Sequence, residues 1–318
     1  MLQKFRREAP AYRILFVNRR NLIVGGAALA LSSHAESAPN SIPVIDTHIH
    51  LFDTNRPGGV PWPPKGDPIY KPALPERYRK IAQPFGIVGA IEVEASPLIE
   101  DNQWVLDVAK KDNIVVGTVG HLEPNAADFR KQLDRFHRNP LLRGIRYGNL
   151  WNKDINEELA NSGFLAGLKA LASLDLSLDS ANPTPRLMAD VLRVSDAVPN
   201  LRIIIDHLPQ LDPKSYESDL HKFEKRPQIY VKISEVFSRP GLEFMKDRVD
   251  TLYGVFGEDR VLFGSDWPNS DHWTTYEKGF DAVHAYFMAK GRPVAEKYFW
   301  KNSVKAYKWV KRDKSQPG

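Results

Sequence analysis

The sequence predicts an α/β chain folded as a closed (β/α)8 barrel of the TIM type. Three observations lead there. From residue 42 onward, short β-branched runs alternate with stretches of helical period, the pattern of βα units. The runs number eight, which suits a closed barrel better than the structural alternative, an open doubly wound sheet. No fixed-period repeat or second linker divides the chain after residue 41, so one domain is expected over 42–312.

The first run, 43–52, is apolar through Val44 and Ile45 and ends Asp46-Thr47-His48-Ile49-His50. A Pro- and Trp-rich connection follows at 53–75, and a loop of that length is expected to be a functional lid or disordered. Runs 87–95 and 114–122 come next, then a helix in which Phe129, Leu133 and Phe136 repeat at i, i+4, i+7. Run 143–150 carries two arginines, and run 174–180 ends in Asp179-Ser180. Thr184-Pro185 reads as an N-cap and first helical position ahead of Leu187, Val191, Val194 and Val198. Runs 201–208, 229–236 and 261–266 complete the set, and Tyr276, Phe280, Val283 and Phe287 mark the last long helix. These stripes read as faces packed on a sheet, not as cofactor contacts.

Composition removes several function classes. Without cysteine there are no disulfides, thiolate nucleophiles or Cys-ligated metals, so any metal must use His and carboxylates. Of the net charge of +5, all but one unit falls in residues 1–41, which hold six basic and two acidic side chains. The remainder lacks the basic footprint of a nucleic-acid-binding surface.

That basic segment has the order of an export signal. Asn18-Arg19-Arg20-Asn21 precedes the apolar run 22–31 and the small-residue stretch Ser32-Ser33-His34-Ala35. Ten apolar residues fall short of the roughly 20 that span a bilayer, and the Arg pair resembles a twin-arginine signal. The expectation is a signal peptide at 1–38 and a periplasmic or secreted chain with no stable membrane insertion.

Barrel chemistry sits at the C-terminal ends of strands. His48 and His50, two residues apart at the end of strand one, project to the same face. His207 ends the apolar strand six, and Asp266 ends strand eight in Phe263-Gly264-Ser265-Asp266-Trp267-Pro268. Three imidazoles and a carboxylate suit a single Zn²⁺ or Mn²⁺. A metal-free route, with Asp266 or a His as general base, leads to hydrolysis as well. His207 and Asp266 are the catalytic candidates. Arg146 and Arg143 offer guanidinium groups to an anionic or polyhydroxylated small substrate; their opposite parity admits at most one to the mouth, with Arg146 favoured. Trp62 of the lid and Trp267 are aromatic candidates for substrate contact. Glu94 and Asp179 lie close to their strand ends and form a second tier, with Glu92, Lys232, Ser234 and Glu235 beyond them; His121 is a candidate for the mouth.

Four ordered motifs, Asp46-Thr47-His48-Ile49-His50-Leu51-Phe52-Asp53, Arg143-Gly144-Ile145-Arg146, Ile205-Asp206-His207-Leu208 and Phe263-Gly264-Ser265-Asp266-Trp267-Pro268, resemble the amidohydrolase-related branch of the amidohydrolase superfamily over residues 43–309. That branch includes sugar-lactone and pyrone-dicarboxylate lactonases and some decarboxylases. The resemblance implies a distorted, metal-dependent-hydrolase-like barrel in which Asp266 is general base and metal ligand beside His48, His50 and His207. There is no strand-four Lys to bridge two metals and no His ending strand five, so one ion is expected in place of two; some lactonases of the branch work without metal.

The leading expectation is therefore hydrolysis of a small cyclic ester, a sugar-type or carboxylated lactone. Non-oxidative decarboxylation of an unsaturated or aromatic acid is the alternative among enzymes. Decarboxylases of the group often carry Glu two residues before the first His, where this chain has Asp46. An exported binding protein on an inactive barrel is the alternative from another class.

Overall fold

The computed structural model describes residues 41–318 apart from 239–241, and the expected signal segment lies outside the described residues. Eight strands form one parallel sheet in sequence order: β1 (Val44–Ile49), β2 (Ile87–Val93), β3 (Val115–Gly120), β4 (Leu142–Arg146), β5 (Ser177–Ser180), β6 (Arg202–Ile205), β7 (Ile229–Lys232) and β8 (Val261–Leu262). Beyond β8 the chain stays alongside β1. Thr47 N–H donates to the Phe263 carbonyl (3.0 Å), Asp266 N–H to that of His48 (2.8 Å), and His50 N–H to that of Trp267 (2.8 Å). These bonds bring the eighth strand back to the first, as a (β/α)8 barrel requires.

Gly264 makes that approach possible. A Cβ there would lie 2.9 Å from the His48 Cβ, so only glycine lets the chain run against β1.

The expected helices form for the expected reasons. Thr184 Oγ1 caps helix Pro185–Ala197 by accepting from Leu187 N–H, a contact worth about 1 kcal/mol. Leu187, Val191 and Val194 bury one face of that helix, Phe129, Leu133 and Phe136 that of Phe129–His137, and Tyr276, Phe280, Val283 and Phe287 that of Tyr276–Ala289. No helix among the described residues is long and apolar enough to cross a membrane.

Two apolar layers result. The larger lies between strands and helices. The smaller gathers Ile45, Ile91, Val116, Ile204 and Leu262 from five strands with Tyr307 and Trp309 of the C-terminal segment. That segment closes the barrel at the N-terminal ends of the strands: Val310 N–H donates to the Val116 carbonyl, and Arg312 Nη1 to those of Ala109, Asp112 and Val115. With one end plugged, chemistry is left to the other.

Candidate active site

The open end is built from strand ends and the turns that follow them. His48 belongs to β1, and His50 lies one residue beyond it. His207 and Asp266 both adopt left-handed backbone conformations (φ 52° and 60°), which His, Asn and Asp tolerate best among non-glycine residues. Such geometry turns a side chain out of the strand's alternation and gathers at functional sites.

The three imidazoles converge on one oxygen. Asp266 Oδ1 lies 3.2 Å from His50 Nε2, 3.5 Å from His48 Nε2 and 3.5 Å from His207 Nε2. Asp266 Oδ2 accepts from Asn269 Nδ2 at 2.7 Å. The other ring nitrogens are engaged elsewhere: His50 Nδ1 with the Val93 carbonyl (2.7 Å), His207 Nδ1 with Ser234 Oγ (2.8 Å), and His48 Nδ1 beside Lys232 Nζ (3.2 Å) and Asp206 Oδ1 (3.5 Å). Such outer contacts fix which nitrogen faces a bound metal.

These distances fit a divalent ion. Bonds of about 2.0–2.1 Å in tetrahedral geometry place donor atoms roughly 3.3–3.4 Å apart, close to the three spacings from Asp266 Oδ1. Three overlapping donor sets lie close enough together to hold an ion: His48, His50 and Asp266; His207, Glu235 and Asp266; and His48, Asp206 and His207. His48 Nε2 is buried and has no hydrogen-bond partner, as a nitrogen reserved for coordination would be. Burial and the nearby Lys232 hold His48 well below its ordinary pKa, and burial also lowers His207, the direction that suits a metal-binding ring. For Asp266, burial alone would raise the carboxyl. His207, the His50 hydrogen bond and His48 outweigh it, and the group lies well below the ordinary carboxylate value.

Beneath this cradle runs a column of buried charge. Lys232 Nζ contacts Asp206 Oδ1 (2.8 Å) and Asp179 Oδ2 (2.9 Å), and Tyr307 Oη donates to Asp179 Oδ2 (2.5 Å). Burial makes Asp206 and Asp179 alike harder to ionise; Lys232 and His48 reverse this at Asp206 but Lys232 does not at Asp179, which stays raised. Above the cradle opens a cavity of about 290 Å³, just under the size typical of small-molecule sites. Trp62, Arg146, Trp151, Asn182 and Glu235 line it beside His50, His207 and Asp266.

The placement of the sequence candidates is uneven. His48, His50, His207 and Asp266 come together, and Arg146 and Trp62 reach the cavity, Trp62 packing edge-on against the His50 ring at 5.3 Å. Arg143 does not. Its Nη1 donates to the Lys308 carbonyl (3.0 Å) at the plugged end of the barrel, and strand parity, which admits only one of the two arginines to the mouth, explains why. Trp267 is also corrected: its fully buried indole packs on Tyr78 (5.3 Å) and under Arg77 (5.0 Å), bracing the wall. Asp179 lies below the mouth on Lys232. Glu94 stands behind the wall, accepting from Arg146 Nε (2.9 Å) and Trp151 Nε1 (3.0 Å). His121 is buried outside the cavity. Asp46 accepts from Ser265 N–H (2.8 Å), Tyr78 Oη (2.7 Å) and Tyr276 Oη (3.2 Å), tying β1 to the helix layer.

Sequence reasoning missed Asp206, Trp151, Asn182 and Asn269. Asp206 had a signal, a charged residue at the end of an otherwise apolar strand. Trp151 had a weaker one in the flanking Gly148-Asn149 and Asn152, residue types that accept left-handed turns.

Comparison with known proteins identifies the family and the fold. The model of the family described as Amidohydrolase matches residues 45–309. An L-fucono-1,5-lactonase of Burkholderia ambifaria is 27% identical over 242 residues, covering 71% of this chain and 80% of that protein. An L-rhamnono-gamma-lactonase of Scheffersomyces stipitis is 22% identical, with 83% and 98% covered. The crystal structure of an amidohydrolase from Burkholderia multivorans with bound zinc superposes with a TM-score of 0.74 at 19% identity, covering 84% of this chain and 99% of that one, a likeness of fold.

Proposed function

The chain belongs to the amidohydrolase family, and from that premise we propose that its cavity hydrolyses a small cyclic ester, a sugar-type or carboxylated lactone, through Asp266 and the three imidazoles around it. The observation that carries this reading is the convergence of His48, His50 and His207 Nε2 on Asp266 Oδ1 within 3.5 Å. Relatives with sugar-lactonase names support the substrate class.

Asp266 accepts a proton from the attacking water as its oxygen bonds to the lactone carbonyl carbon. As the ring C–O bond breaks, Asp266 returns the proton to the leaving oxygen, giving a hydroxy acid. Held below the ordinary carboxylate range, Asp266 is ionised and ready but is a weak base by itself. We therefore assign His48, His50, His207 and Asp266 to one divalent ion, Zn²⁺ or Mn²⁺, in preference to the metal-free route. When bound, the ion supplies Lewis acidity to the carbonyl and lowers the pKa of water. Arg146 directs its remaining N–H groups at substrate oxygens, and Trp62 covers the ring.

The test is a panel of lactones followed with a pH indicator, with and without added Zn²⁺ or Mn²⁺. Acid release supports the proposal. Release of CO₂ from an unsaturated acid points to a decarboxylase, and sugar binding without turnover to a receptor. We further propose that residues 1–38 direct export; fractionation should find a shortened periplasmic form, lost on Arg19→Lys with Arg20→Lys, and a full-length cytoplasmic product would overturn this.

A further inference from the structure

Arg146 is the only lysine or arginine among the described residues lining the cavity, and its charge is already answered. Nε donates to Glu94 Oε1 (2.9 Å), Nη2 to the Glu94 carbonyl (2.6 Å), and Nη1 lies 3.7 Å from Asp206 Oδ2. Two carboxylates, Asp266 and Glu235, line the same cavity. A substrate carboxylate would enter beside both and find a guanidinium whose charge is already paired, with only its remaining N–H groups to offer. A divalent ion held at the cradle would add its positive charge beside Asp266, at the ester end of the substrate.

The remaining wall suits a different ligand. Trp62 and Trp151 offer aromatic surface, and Asn182 and Glu235 bring polar groups to the same space. Aromatic faces cover the C–H side of a ring, while amides and carboxylates pair with hydroxyls. The loop holding Trp151 is costly to form: Asn149, Trp151 and Asn152 all have φ between 54° and 58°, next to Gly148 at 104°. It is pinned by the exchange of bonds between Asn149 Nδ2 and the Asn182 carbonyl (2.9 Å) and between Asn182 Nδ2 and the Asn149 carbonyl (2.8 Å). Glu94 closes it with both oxygens on the indole N–H (3.2 and 3.0 Å). A bulky side chain kept in a left-handed backbone by this many contacts is a constructed wall.

We propose that this site selects an uncharged, polyhydroxylated lactone over a carboxylated one, and that Glu94 sets the selection by neutralising Arg146 and fixing Trp151 as the platform for the substrate ring. This rests on the lactonase reading and decides between the two substrate types it left open.

The test compares an aldono-1,5-lactone with the glycaro-1,5-lactone that differs only by a carboxylate in place of the hydroxymethyl group. Wild type should favour the uncharged lactone by at least about 100-fold in kcat/KM, since a like charge at close range is strongly opposed. Glu94→Gln keeps the side chain's shape and frees the Arg146 charge; it should narrow that preference at least about tenfold, chiefly through a lower KM for the charged lactone. Equal or better use of the charged lactone by wild type, or an unchanged ratio in Glu94→Gln, overturns the proposal. If neither lactone is hydrolysed, the lactonase reading fails, and charge selection is read from binding: quenching of tryptophan fluorescence by a 1,5-anhydroalditol but not by the corresponding pyran carboxylate, weakened in Trp151→Phe, upholds it. The reverse order of binding overturns it.

Discussion

Replacing Lys232 by Met removes the cation beneath the cradle while nearly preserving side-chain volume. Lys232 is fully buried, and its ammonium serves Asp206 at 2.8 Å and Asp179 at 2.9 Å, each as enclosed as itself. Taking one partner from a buried ion pair costs about 3–5 kcal/mol, because the charge left behind has neither water nor a counter-ion. Both carboxylates lose this partner, but Asp206 keeps Arg146 Nη1 at 3.7 Å and Asp179 keeps the Tyr307 and Ser177 hydroxyls, so the loss should fall near the middle of that range, and Met leaves little cavity to add to it. For a domain of this size the melting temperature should fall by roughly 8–16 °C. Urea and thermal unfolding followed by circular dichroism measure it. The triple variant Lys232→Met, Asp179→Asn, Asp206→Asn should recover most of the loss, since it removes the stranded charges as well. A single-variant loss under about 1 kcal/mol, or a triple variant no more stable than the single, would refute the reasoning, for then the column is not held by charge pairing.

Three further outcomes are expected. Elemental analysis of the purified chain should find about one equivalent of divalent metal, because the candidate donor sets overlap pairwise at His48, His207 and Asp266; two equivalents would show a second site, and none after loading would remove the metal from the account. Arg143→Met should leave lactone turnover within about threefold of wild type, since Arg143 bonds the Lys308 carbonyl away from the cavity; a loss of a hundredfold would contradict its placement. Asp112 is raised by burial, but Arg79, the Ile114 N–H and Arg312 outweigh this and hold it below its ordinary value. Its stabilising contribution is present above an unfolded pKa of about 3.9 and lost as pH falls through the folded one, so Asp112→Asn should flatten the acid limb of melting temperature against pH below about pH 4. An unchanged limb would show that the Arg79 contact contributes nothing to folding.

The fold was largely legible because its signals are local. Each of the eight apolar runs became a strand, and the stripe Leu187, Val191, Val194 packs as its period required. Strand ends were less legible. Run 143–150 stops pairing at Arg146, since the chain turns left-handed from Gly148, and run 261–266 keeps only Val261–Leu262 before its backbone turns to β1. The four-residue cradle was legible because each member stands at or near the end of an apolar run. The positive φ of His207 and Asp266, which aims them at one another, leaves no trace in period or composition. Lys232 and Asp206 depend on which strands are neighbours, and Trp151 on a strained loop, so neither follows from spacing along the chain. Arg143 and Trp267 failed for the opposite reason: each stands in a motif that reaches the site, but its own side chain faces elsewhere.

The most direct measurement of the central claim is the turnover of a lactone by Asp266→Asn, with wild-type circular dichroism and unfolding as evidence that the fold survives. Asn keeps the shape of Asp266 and its bond to Asn269, but it neither accepts the proton nor offers an anionic donor to the cradle. The account predicts a loss in kcat of at least about 10²–10⁴-fold, the scale of a missing general base. A folded Asp266→Asn protein that hydrolyses the lactone within about threefold of wild type, a barrier change well under 1 kcal/mol, would contradict it.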